Sequence, residues 1–138
     1  MSVIVKNSGS KNNGLALDPK YFGCSKMAVD IYTPNSNNYV TNSIPHSLGE
    51  IPKVIIIFTE ALENPNDSNL LSLLFSIVDN YGRANGVVSS INKNARVINY
   101  FYNNESNYQK CTSTTIVFYL SGSHTYKGGQ KYTVITMA

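Results

Sequence analysis

A chain of 138 residues is long enough for one domain with a core of its own, and no staple is needed to hold it. Charged residues are only 14%, and the net charge of +3 contains no Lys/Arg-rich run with interleaved aromatics, which argues against a nucleic-acid surface. No apolar run reaches the roughly 18 residues a membrane-spanning helix needs, and the first residues lack the charged-then-apolar order of a signal peptide; the expectation is a soluble chain made in the cytoplasm, without membrane insertion.

Eighteen asparagines and nine glycines favour tight turns, since both residue types tolerate the left-handed region. Ten tyrosines, with many Val, Ile and Thr, favour strands. Charge is divided along the chain: residues 1–26 carry +3, residues 27–82 carry −5 and residues 83–138 carry +5. Interleaved strands would mix these charges on one surface; alternatively, complementary patches steer copies together. Cys24 and Cys111 form no CxxC pair, which fits two lone thiols in a reducing compartment, although a bridge from the first residues to the body stays open.

In chain order, Val3 to Val5 is a short strand candidate, followed by an Asn/Ser/Gly/Lys run to Gly14. Leu15 to Phe22 is apolar without a clear period, and Asp18-Pro19 can open a single helical turn. Residues 1–26 thus read as an arm that packs either on its own domain or on a neighbouring subunit through Leu15, Leu17, Tyr21 and Phe22. Met27 to Tyr32 is a strand, Thr33 to Asn38 a turn, and Tyr39 to Ile44 a possible edge strand. Pro45, Gly49 and Pro52 punctuate the approach to Val54-Ile-Ile-Ile-Phe58, the most apolar short run and the expected strand buried on both faces.

Leu70 to Val78 is ambiguous. As a helix it is capped by Ser68 and ended by Gly82, with Leu71, Leu74, Phe75 and Val78 on one face. As a strand it puts Leu71, Leu73, Phe75 and Ile77 on one face with Ser72 and Ser76 on the other, and this pattern is the cleaner. Asn85-Gly86 is a turn signal before a strand over Val87–Ile91. Ala95 to Tyr102 is a strand with Ile98, Tyr100 and Tyr102 on one face and Val97, Asn99 and Phe101 on the other. Thr114 to Leu120 is a strand, Ser121 to Gln130 a connecting loop, and Lys131 to Met137 the last strand. Strands at roughly ten-residue spacing predict an all-β chain, an antiparallel β-sandwich of jelly-roll or Ig-like arrangement over residues 27–138, with residues 1–26 as the extended arm.

The pattern His46-x-Leu48-Gly49-x-x-Pro52-x-Val54-Ile55 resembles the lead-in to a buried strand in structural proteins of tailed bacteriophages, especially small β domains of tail fibres and other virion surface components. Ser47 stands where that pattern often has Gly. The end of the chain, Tyr126-Lys-Gly-Gly-Gln-Lys-Tyr132-Thr-Val-Ile-Thr-Met-Ala138, resembles the closing strand of such domains, which often carry an aromatic where Val134 or Ile135 stands. The resemblance spans residues 40–138. It implies a virion protein that works in symmetric copies with other virion proteins, commonly as a homo-oligomer and in fibre-type modules as a trimer.

Enzyme chemistry finds little support. Only His46 and His124 can act as bases near neutral pH, and no nucleophile elbow, HExxH motif, Walker loop or Rossmann fingerprint is present. Ser121-Gly-Ser-His124 sets hydroxyls near a histidine, yet a nucleophile needs a base that a third group orients, so His124 reads as a loop histidine with at most a contact role. His46 reads as a turn residue bonding backbone. Glu63, Asn64, Asn66, Asp67 and Asn69 are rich in oxygen but lack the order and the glycine of an EF-hand, so an ordinary turn is expected and neither a metal nor a cofactor. Tyr100, Tyr102 and Tyr108 with Asn103, Asn104 and Asn107 form a cluster of rings and amides suited to stacking on host surface glycan or to a protein contact; the plainer reading is a half-exposed sheet face. The expectation is a non-enzymatic virion decoration or fibre module, with a lectin-like receptor-binding domain as the alternative.

Overall fold

Val54–Phe58 is central because both its edges are taken. In the computed structural model, which describes residues 3–6, 14–40, 43–60, 62, 69–101, 110–118 and 124–138, this strand (β6) pairs antiparallel with Tyr132–Met137 (β12) on one side and Asn69–Val78 (β7) on the other. Before it come β1 (Val3–Lys6), β2 (Gly14–Leu17), β3 (Met27–Tyr32), β4 (Asn38–Tyr39) and β5 (Ile44–Pro45). Between β7 and β12 lie β8 (Ala84–Ile91), β9 (Arg96–Phe101), β10 (Thr115–Ile116) and β11 (His124–Tyr126). The described residues are all-β apart from one 3-10 turn at Pro19–Phe22, which Asp18 caps through its side chain and Gly23 ends in the left-handed region.

An eight-stranded sheet runs β3-β12-β6-β7-β11-β4, and β8 and β9 continue from the other edge of β7. Its pairings are antiparallel except β7 with β11. Two-stranded sheets β1-β2 and β5-β10 complete the described pairings. Ile55, Ile57, Leu74, Val88, Tyr132 and Val134 point inward from the large sheet and are buried against Val40, Ile44, Ile116, Phe118 and Tyr126. This is the inner core of the sandwich. Tyr126 meets Tyr32 and Tyr132 edge to face at 5.3 and 5.1 Å, a favoured aromatic geometry.

Residues 70–78 are a strand, as the cleaner pattern suggested, but its faces are divided differently. The β7–β8 register slips between Leu71 and Leu73, so Leu71 faces the core while Leu73, Phe75 and Ile77 face outward. Ser72 sits at this irregularity, and its hydroxyl donates to the Ser89 carbonyl. A bulge of this kind breaks the two-residue alternation on which the expectation rested. The turn before β8 also lies earlier than Asn85-Gly86: it is Asp79–Arg83, closed by Asp79 N–H to the Arg83 carbonyl and by Gly82 at φ 81°. Gly86 lies inside β8, where a Cβ would come 2.0 Å from the Phe75 carbonyl oxygen, so the glycine serves close strand approach.

Two further expectations need correction. The segment 121–130 is not wholly a loop, since His124–Tyr126 is a strand between β7 and β4. The strand expected over Thr114–Leu120 is only Thr115–Ile116 among the described residues, although Val117 and Phe118 beyond it are buried. Cys24 and Cys111 are both free and buried, on opposite sides of the large sheet, so the possible bridge does not form.

Candidate interaction surface

The outward side of the large sheet can be followed strand by strand through its registers. One row runs Val29, Ile135, Ile56, Phe75, Val87 and Tyr100 across β3, β12, β6, β7, β8 and β9. The next row runs Ile31, Thr133, Phe58, Leu73, Ser89 and Ile98 across the same six strands. On the other side of the first row lie Met27, Met137, Val54, Ile77 and Asn85. No residue of these three rows carries a charge.

Part of this face is covered by the chain itself. Leu17, Phe22 and Cys24 pack with Met27, Val54, Ile135 and Met137 into a second apolar cluster. The arm residues Leu17 and Phe22 are therefore engaged by their own domain. Leu15 lies on β2 with its side chain outside what is described, and Tyr21 is exposed. Beyond this cover the face is open: Ile31 is 62% exposed, Ile77 61%, Ile98 62% and Tyr100 82%. A half-buried antiparallel sheet normally sets polar residues on its wet side. Here apolar residues, mostly leucine on β7, occupy both sides of β7 and much of β9.

Charge gathers at the margin. Arg96 donates to the Ser72 and Ser89 hydroxyls at one corner. Between β6 and β12, Ile31, Phe58 and Thr133 open with Thr59, Glu60, Gln130 and Lys131 into a cavity of about 330 Å³. Its wall is fixed by the Gln130 amide, which donates to Thr59 Oγ1 at 2.8 Å and to the Glu60 carbonyl at 3.0 Å. Past the opposite end, Arg83 and Asp79 form a 2.7 Å ion pair. Partial burial opposes the charge of Asp79, but the hydrogen bonds from Arg83 and from Tyr81 N–H outweigh it and hold the carboxyl below its ordinary range.

Of the residues singled out in the sequence, Tyr100 lies on this face and Tyr102, Asn104, Asn107 and Tyr108 lie outside the described residues. His124 does not join them. It is 2% exposed and points into the core, so it cannot serve as a loop contact. Asn99 Nδ2 donates to its Nε2 at 2.8 Å, which leaves Nδ1–H to donate to Ser90 Oγ at 2.9 Å. Burial lowers the pKa of this imidazole. Among the described residues the hydroxyl beside the histidine is that of Ser90, while Ser121 and Ser123 lie outside them. Ser90 is wholly buried, out of reach of a substrate, and the trio satisfies buried polar groups. His46 behaves as a backbone-binding turn residue: Nε2 donates to the Thr112 carbonyl at 3.0 Å and Nδ1 accepts from Leu48 N–H. In the oxygen-rich stretch, residues 63–68 lie outside the described residues, while Asn69 accepts a bond from Asn92.

The sequence reading missed the outward apolar rows: it set Leu71, Leu73, Phe75 and Ile77 on one face of a strand without recognising that Leu73, Phe75 and Ile77 face outward. The available signal was that the set alternating with Leu73, Phe75 and Ile77 also holds Leu70, Leu74 and Val78 beside its two serines, more apolar residues than one core face needs. No protein-family model, no curated protein and no solved structure matches this chain.

Proposed function

We propose that the chain is a non-enzymatic structural module of a phage particle, a surface decoration or fibre domain that assembles with other virion subunits. The observation that carries this reading is the part of the outer sheet face that the chain leaves open, where Leu73, Phe75, Ile77, Ile98 and Tyr100 are exposed. Contiguous exposed patches larger than a few hundred Å² mark interaction sites on soluble proteins. The resemblance of His46–Ile55 and of the closing strand to phage surface components adds the setting. The proposed location is the virion, with the chain made in the host. The test is immunogold electron microscopy of purified particles with antibodies against this chain. Regular labelling of the particle surface is expected; label confined to host fractions without particles overturns the reading.

The lectin-like alternative is favoured by one observation, the cavity in which the Phe58 ring lies beside the Thr59, Gln130 and Lys131 polar groups. A ring beside fixed polar groups suits a sugar. Binding on a glycan array that Gln130→Ala abolishes would favour this reading, and an array without signal would remove it.

A further inference from the structure

We infer that the partner covering the outer sheet face is a second copy of this chain, packed sheet on sheet through β7, β8 and β9. This deepens the assembly reading and rests on it.

Size is the first argument. On β7 and β9, Leu73, Phe75, Ile77, Ile98 and Tyr100 are 37–82% exposed, which at roughly 200 Å² per large side chain leaves about 600 Å² of open apolar surface. Two such faces would bury about 1,200 Å², the lower end for specific stable interfaces. Sheets pack face to face at about 10 Å with their strands roughly aligned, a geometry open to two copies of one twisted sheet.

Charge is the second argument. The three rows hold no charged residue and Arg96 reaches only their corner at Ser72 and Ser89, so the centre makes no demand for a partner of opposite sign and an identical face is an acceptable mate. The margin carries both signs, Glu60 with Lys131 near one corner and Arg96 at another, as an apolar centre with a polar rim requires. Under a two-fold axis each residue of the patch meets the same patch, so Ile77, Ile98 and Tyr100 all lie in the contact.

The experiment is sedimentation equilibrium of the full chain over a wide concentration range. Wild type is compared with Ile77→Lys, Ile98→Lys and Tyr100→Ser, and with Ser113→Lys, a control at an exposed turn away from the face. The wild type and the control should assemble. The three face variants should weaken assembly by about tenfold or more, as loss of a central interface residue does. Circular dichroism melting verifies that each variant is folded, and Tyr100→Ser, which alters a nearly free ring, keeps the test valid where a lysine destabilises the sheet. A wild type that stays monomeric throughout overturns the inference, as does assembly unchanged by all three face variants. A monomer whose face captures lipid vesicles or another particle protein also overturns it. Surface labelling of particles judges the assembly reading separately, so the two can fail independently.

Discussion

Phe22 lies against Phe75 on the outer side of the large sheet, with ring centroids 6.5 Å apart and planes tilted by 42°. This contact ties the first residues of the chain to β7, which also carries the open apolar rows. The N-terminal segment thus shields one part of the face and leaves the β8–β9 flank uncovered.

Phe22→Ala should cost about 1–2 kcal/mol, less than the roughly 3–5 kcal/mol for a fully buried phenylalanine, because this ring is only half buried. The loss should be the same at low and high salt, since the contact is apolar. Urea unfolding measures it. A variant as stable as the wild type would mean that residues 17–24 do not rest on the sheet in solution.

Tyr126 and Tyr132 are neighbours with opposite hydroxyl fates. Tyr132 Oη donates to the Leu71 carbonyl at 3.2 Å and accepts from Lys127 N–H at 2.9 Å. Tyr126 Oη is buried with no hydrogen-bond partner among the described residues. Burial pushes the phenol pKa of Tyr126 far up, and the hydroxyl stays protonated. Tyr126→Phe keeps both edge-to-face contacts and removes an unsatisfied polar group, so stability should hold or rise by about 1 kcal/mol. Tyr132→Phe should lower it by about 1–2 kcal/mol. Thermal melts of the two variants give the comparison, and a lower stability for Tyr126→Phe than for Tyr132→Phe would contradict it.

Much of the fold is legible because strands announce themselves by composition. Val54–Phe58 is five β-branched or aromatic residues behind a proline, and it takes the central place such a run predicts. The alternation of β9, with Val97, Asn99 and Phe101 opposite Ile98 and Tyr100, is also as read. Which side of β7 faces the core was not legible. Leu70, Leu71, Leu73, Leu74, Phe75, Ile77 and Val78 supply apolar residues to both sides, and the bulge at Ser72 shifts the phase by one. A one-residue shift exchanges the faces of a strand. The turn before β8 was misplaced because Asn-Gly is also what a close strand approach selects. Gly86 is required there by the Phe75 carbonyl rather than by a turn. His124 looked like a loop residue because Gly and Ser surround it in sequence, while its partners Ser90 and Asn99 are 34 and 25 residues away. Only the pairing of β11 with β7 brings them together.

That buried trio makes the stability depend on pH with a definite sign. The His124 imidazole accepts from the Asn99 amide at Nε2, so a second proton there would set N–H against N–H. Burial also disfavours the cation and lowers the folded-state pKa below the ordinary 6.5. The unfolded chain then binds the proton more readily than the folded one. Stability is full above about pH 6.5 and falls as pH drops from there toward the folded-state value. Carboxylates titrate mainly below this window, near pH 4, so a decline beginning near pH 6 belongs to histidine. His124→Gln cannot take the proton and retains hydrogen-bonding groups toward Ser90 and Asn99. Its melting temperature at pH 8 should be somewhat below that of the wild type, with a flatter profile between pH 7 and 5. Melting curves at half-unit intervals read this directly. An equal slope in the wild type and in His124→Gln would mean that the imidazole does not titrate against the fold, and that its bonds to Ser90 and Asn99 tolerate the charge.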